Sequence, residues 1–255
     1  MLKTGAGILL RFYTPADRPK SLFDLYQIQS VTDYVESINS LELDAKSLIS
    51  TKCIHSDYEF IEEYICSLIE TASRVVFLGV YDFSKEVYFV NRFPNQRFLV
   101  GDVSSKALQS LEGIFDNVVV TEATFDQFNP VNGDVVIINI AEYLMSKQEM
   151  LQFVGGSADY EVILNNAHVY RPSFSIFCSA FVRECRAGIV NLLSLLGRHQ
   201  QWQFRGWWRT ERDYVVLAKT AGKVLKAVKV NPNRKFGHKG HSANAAMVHI
   251  GRADR

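Results

Sequence analysis

The sequence predicts an α/β protein with a mostly parallel, seven-stranded sheet that ends in an antiparallel hairpin, preceded by an N-terminal helical segment. Three observations predict it. Five short apolar runs recur from Arg74 onward, with helix-length segments between them. Two further strand-like runs close the series near residue 210, and the first 73 residues hold no strand-like run. A continuous apolar run marks a strand buried on both faces, as in a parallel sheet covered by helices. Strands alternating with helices imply right-handed βαβ units.

Residues 1–20 are irregular, ending in Thr14-Pro-Ala-Asp-Arg-Pro-Lys20. From Ser21 to about Ser73 the pattern is helical, with apolar residues at roughly three- and four-residue spacing: Leu22, Leu25, Tyr26, Ile28, Val31, Tyr34, Val35 and Ile38. A clearer helix runs from Glu59 to Ala72, with Phe60, Ile61, Tyr64, Ile65, Leu68 and Ile69 on one face. The five runs are Arg74–Gly79, Arg97–Gly101, Asn117–Thr121, Asp134–Asn139 and Tyr160–Asn165. Ser84–Phe93, Ser104–Gly113 and Ser146–Gly155 supply helices between them. A long helix from about Ser173 to His199 follows, and Gln201–Arg209 with Asp213–Lys219 reads as the closing hairpin. The expected organisation is a helical extension or lid over 1–73, the α/β domain over 74–220 and a basic, flexible tail over 221–255.

With 47% hydrophobic and 22% charged residues in 255, the chain has the composition of a globular protein with a sizeable core. No run approaches the roughly 20 apolar residues of a membrane helix. Gly5–Leu10 is too short for a signal-peptide core, so a cytoplasmic protein is expected. The four cysteines form no Cys-x-x-Cys pair and read as buried thiols. From Lys219 to Arg255 nine Lys/Arg face one acid, Asp254, a net +8 against −7 for the remainder. A solvated tail is the expected meaning, and the acidic body argues against a nucleic-acid partner. His238 and His241 supply only half of a four-ligand zinc site, and no metal is expected.

The chemistry concentrates where the first run, Val75-Val-Phe-Leu-Gly79, is followed by a helix, a second strand and Asp102. This stretch resembles the class I S-adenosylmethionine (SAM)-dependent methyltransferase family, whose pattern is strand, Gly-x-Gly-x-Gly, helix, strand, acid. The resemblance covers about Arg74 to Lys219. It implies a Rossmann-like fold and SAM as cofactor, with Gly79 on the first glycine and Asp102 holding the ribose. The loop departs from the pattern, because Tyr81 and Phe83 stand at the second and third glycine positions. Glycine serves there because backbone approaches the ligand closely and some positions need φ > 0. An aromatic ring could fill the ligand's space, turn away, or stack on the ligand.

The resemblance further implies cofactor contacts from Tyr81, Val103, Glu122, Ala123 and Asn139, the last bordering the crevice at the sheet's carboxyl edge. Glu142, Tyr143 and His168 are the candidate catalytic groups. Because SAM carries a reactive sulfonium, the protein need only orient an acceptor and, where required, remove a proton. The expected acceptor is a small molecule or saccharide. The alternative is a catalytically inactive methyltransferase-like binding or assembly module, which Tyr81 and Phe83 favour. A nicotinamide dehydrogenase is disfavoured by the terminal hairpin. The N-terminal helices could pair in a homodimer.

Overall fold

In Arg74–Leu78, Val75 and Phe77 face one side of the sheet while Val76 and Leu78 face the other, and all four are buried. That two-sided burial is the physical meaning of the apolar run, and helices cover both faces. The structure is a computed structural model describing residues 45–80, 83–102, 111–122, 128–139, 145, 147–156, 158–170, 182, 185–186, 188–190, 192–193, 196, 209–236 and 243–253. The described elements are α1 (Ala45–Ser50), a 3-10 turn (Glu59–Ile61), α2 (Glu62–Thr71), β1 (Arg74–Leu78), α3 (Val87–Arg92), β2 (Phe98–Asp102), β3 (Val118–Glu122), β4 (Asp134–Asn139), α4 (Lys147–Val154), β5 (Glu161–Tyr170), β6 (Arg209–Thr210), α5 (Glu211–Thr220), β7 (Val224–Phe236) and β8 (Ala243–Gly251).

Among the described residues the sheet has eight strands in the order β3-β2-β1-β4-β5-β8-β7, with the two-residue β6 attached to β5. β3, β2, β1, β4 and β5 are mutually parallel; β8 runs antiparallel to β5 and to β7. One face buries Phe77, Phe83, Phe89 and Phe98 under α2 and α3, together with Ile61, Ile65 and Ile69. The other buries Val76, Leu78, Ile138 and Leu164 under Met150 and Phe153 of α4 and Tyr214 and Leu217 of α5. Each such side chain contributes about 1.5–3 kcal/mol on leaving water.

The five expected parallel strands are present, and the helix expected from Glu59 is α2. The closing hairpin lies elsewhere than expected. Asp213–Lys219 belongs to a helix, α5, and Gln201–Trp208 lies outside the described residues. Tyr214, Leu217 and Ala218 are buried at helical spacing, and Thr210 starts the helix with a capping box. Its hydroxyl accepts from Asp213 N, and Asp213 Oδ2 accepts from Thr210 N. The antiparallel pair is β7–β8, formed by residues expected as a flexible tail. β7 is an edge strand carrying Lys226 and Lys229 and interrupted by Pro232, features that blunt an open edge. Parts of Ser173–His199 are helical at 182, 185–186, 188–190 and 192–193, with a turn at 196; the remainder, residues 1–44 and most of Ser104–Gly113 lie outside the described residues. Among the described residues no helix is long and apolar enough to cross a membrane.

Candidate functional site

The order β2-β1-β4 reverses the direction of winding between β1 and β4. In open α/β sheets, ligands bind outside the carboxyl ends of the strands at such a point. The register brings the residues just there level with one another. Leu78 pairs with Gly101, so Gly79 stands beside Asp102; Asp102 pairs with Glu122; Asn139 pairs with Asn165.

Gly79 leaves β1 with φ +70, and its N–H donates to Gly101 O at 3.0 Å. That left-handed turn is what the first glycine of the loop has to provide. Gly101 is required for a different reason, since a Cβ there would lie 2.7 Å from Leu78 Cδ2. Phe83 answers the question posed by the third glycine position. Its backbone adopts φ +61, closed by Phe83 N–H to Val80 O at 2.9 Å, so the chain keeps a left-handed turn without glycine. Its ring is fully buried, edge-on to Phe77 at 6.5 Å and Phe115 at 6.2 Å. The ring has turned away into the core. Asp102 ends β2 with 2% exposure.

Beside this crevice lies a buried polar network that the sequence did not announce. Asn165 and Asn166 both donate from Nδ2 to the main-chain carbonyl of Asp57, each at 3.1 Å. Asn165 Nδ2 also reaches Asn139 Oδ1 at 3.4 Å, and Asn231 Nδ2 donates to Asn166 Oδ1 at 3.1 Å. The Asp57 carboxylate pairs with Lys85 Nζ at 3.0 Å and with the Arg234 guanidinium. Burial works against its ionised form, but Lys85 and Arg234 outweigh that and hold it below the ordinary carboxylate range. Tyr58 donates to Glu86 Oε1 at 3.0 Å, and burial, reinforced by that carboxylate, pushes its phenol well above the usual value. Asp57 and Tyr58 precede α2, whereas Lys85 and Glu86 follow the Gly79 loop. The network therefore ties the N-terminal segment to the loop, the strand ends and β7.

Of the residues singled out from sequence, Gly79, Asp102, Glu122 and Asn139 come together along the strand ends. Nothing is described of the Glu122 side chain. His168 lies on β5 three residues beyond Asn165, roughly 10 Å farther along the strand. Tyr81, Val103, Ala123, Glu142 and Tyr143 lie outside the described residues. The residues that sequence reasoning missed are Asp57, Tyr58, Lys85, Asn165, Asn166, Asn231 and Arg234. Only the Asn165-Asn166 pair, at the end of the expected fifth strand and inside the longer observed β5, carried any local signal. Among the described residues no group of three or more His, Cys, Asp or Glu is placed to hold a metal ion.

No family model matches the chain, and no curated protein matches it. Solved structures do. A SAM-dependent methyltransferase from Methanosarcina mazei aligns with TM-score 0.51 and 8% identity, over 74% of this chain and 96% of that one. LepI in complex with SAM aligns with TM-score 0.50 and 14% identity, over 87% and 52%. The mitomycin 7-O-methyltransferase MmcR aligns with TM-score 0.45 and 18% identity, over 71% and 49%. The chain spans about half the length of MmcR and LepI. It has the Rossmann-like fold of the class I SAM-dependent methyltransferases.

Proposed function

We propose that the chain binds SAM across the ends of β1, β2 and β4 and transfers its methyl group to a small-molecule acceptor, a saccharide being one such class. The observation that carries this reading is the Gly79–Phe83 turn. Both backbone positions are left-handed, and the bulky ring at the second of them is packed on Phe77 and Phe115. With its ring packed in the core, Phe83 does not fill the space a ligand would need, one of the outcomes the sequence left open; Tyr81 lies outside the described residues.

The residues fit the cofactor. Gly79 would let the main chain approach it, Asp102 would accept hydrogen bonds from ribose hydroxyls, and Asn139 would border the methyl-bearing end. SAM supplies an electrophilic methyl group on a sulfonium when bound. The chain's contribution is then orientation. Asn139, at the end of β4 and held through its Oδ1 by Asn165, would present its Nδ2 to a neutral acceptor without carrying charge. His168, farther along β5, is the candidate to take a proton. Solved structures of this fold include complexes with SAM and a mitomycin 7-O-methyltransferase, consistent with a small-molecule acceptor.

The test is calorimetric titration of the full chain with SAM and with its demethylated product, alongside Asp102→Ala. Micromolar binding that weakens at least tenfold in the variant supports the reading. Absence of binding of either ligand to folded protein would overturn it.

A further inference from the structure

At the opposite end of β5, away from the crevice, three side chains form a hydrogen-bonded chain. Tyr64 Oη lies 2.5 Å from His249 Nδ1, and His249 Nε2 lies 2.7 Å from Glu161 Oε2. They come from α2, β8 and the first residue of β5. An ionised carboxylate only accepts, so Nε2 carries the imidazole proton toward Glu161 and Nδ1 offers its lone pair to the phenol. His249 is 2% exposed, whereas Tyr64 is half-buried.

Several features hold this arrangement. A Cβ on Gly251 would stand 1.5 Å from Glu161 Oε2, so the carboxylate occupies space that only glycine leaves. Lys226 Nζ pairs with Glu161 Oε1 at 3.0 Å, and the imidazole lies edge-on to the Tyr64 ring at 5.6 Å. Lys229 Nζ stands 4.2 Å from the centroid of the Tyr64 ring. Burial raises Glu161, but His249 and Lys226 outweigh it and keep the carboxylate ionised to lower pH than usual. Burial also pushes the Tyr64 phenol up, so it stays protonated at neutral pH and can attack only with a base beside it. A nucleophile in hydrogen-bond reach of a base, itself oriented by a third group, is the general architecture of nucleophilic catalysis.

We propose that Tyr64 is an acyl-accepting nucleophile, with His249 as its general base and Glu161 orienting the imidazole. The donor class is an activated acyl group on an anionic leaving group, such as an acyl phosphate, drawn by Lys229. The phenolic oxygen attacks the carbonyl carbon and forms the ester C–O bond. The bond from that carbon to the phosphate oxygen breaks, and phosphate leaves with the bonding pair. The phenol proton passes to His249 Nδ1, where Glu161 balances the resulting imidazolium. The imidazolium hands that proton to the released phosphate. Neutral His249 then takes a proton from water as the resulting hydroxide attacks the ester carbonyl. The carboxylic acid departs, and His249 returns the proton to the Tyr64 oxygen.

The test uses the full chain incubated with acetyl phosphate, with adducts located by peptide mass spectrometry. Tyr88 is the internal reference: it too is half-buried, and its hydroxyl meets Glu62 and Arg92 rather than a histidine. Tyr64 is expected to acetylate at least tenfold faster than Tyr88, with the adduct removed by hydroxylamine and absent in Tyr64→Phe. His249→Gln and Glu161→Gln are expected to bring the ratio toward one. The second variant preserves side-chain shape, so it reads the same ratio if the first fails to fold. Labelling of Tyr64 no faster than Tyr88 overturns the proposal, as does a preference that Glu161→Gln leaves unchanged.

Discussion

Asn166 donates from Nδ2 to the main-chain carbonyl of Asp57 at 3.1 Å while its own backbone sits in the left-handed region at φ +53. Successive side chains of a strand point to opposite faces. Here Asn165 and Asn166 reach the same carbonyl, because the register of β5 against β8 shifts between Leu164 and Ala167. A bulge re-aims side chains in this way, and asparagine tolerates the left-handed conformation better than most residues.

The expected cost of Asn166→Ala is therefore about 2–3 kcal/mol. Two hydrogen bonds, to Asp57 O and from Asn231, are worth about 1 kcal/mol each, and alanine adds strain of about 1 kcal/mol. Asn166→Gly loses the same bonds without the strain. Urea denaturation of the two variants should find the glycine protein more stable by about 1 kcal/mol; equal stabilities would mean the bulge relaxes.

The Asp57 carboxylate makes stability depend on pH in a defined window. Its folded pKa lies below the ordinary 3.8. A group depressed on folding contributes stability that is fully present above its unfolded value and is lost as pH falls through the folded value. Thermal melts should show that loss below about pH 4 in the native protein. Asp57→Asn should be flatter in that window, and less stable at pH 7 by about 2–3 kcal/mol. That is below the 3–5 kcal/mol of a fully buried pair, because Lys85 and Arg234 are partly exposed.

The parallel half of the sheet was legible because burial on both faces leaves uninterrupted apolar runs such as Arg74–Leu78 and Asp134–Asn139. The other half was not. Tyr214-Val-Val-Leu217 looks like a strand by composition, and only the Thr210/Asp213 cap and the spacing of Tyr214, Leu217 and Ala218 mark it as a helix. β7 interleaves Lys226 and Lys229 with Leu225, Ala227 and Val228 at a spacing of three, and its register against β8 shifts between Leu225 and Ala227, so no period-2 alternation marked it as a strand. At the site, Gly79, Asp102 and Asn139 could be placed at strand ends from sequence, because each apolar run marks where its strand stops; their roles toward a ligand belong to the proposed function. Asp57 and Asn165 are 108 residues apart, and no local pattern announces their contact.

Gly251 and Glu161 give a separate test of the far end of β5. Gly251→Ala places a methyl group where Glu161 Oε2 lies, so the carboxylate must leave His249 Nε2. Overpacking of this kind costs about 1–3 kcal/mol. Calorimetry should record the lower melting temperature, and the His249 ring resonances should shift together with it. A melting temperature unchanged from the native protein would show that the strand end moves aside instead.

Phe83 sets two requirements against each other. Its fully buried ring stabilises the core, and removing it to alanine should cost about 3–5 kcal/mol. Its backbone at φ +61 is disfavoured for any L side chain by about 1–2 kcal/mol. Phe83→Gly removes the same ring but relieves that strain, whereas Phe83→Ala keeps it. Glycine should therefore be the milder replacement by about 1 kcal/mol, the reverse of the usual ranking of the two residues in regular structure. Guanidinium unfolding of both variants measures the difference. If the left-handed turn shapes the cofactor loop, Phe83→Gly should also retain SAM affinity better than Phe83→Ala in calorimetric titration. An alanine variant that is both more stable and tighter-binding would mean the turn at this position is dispensable.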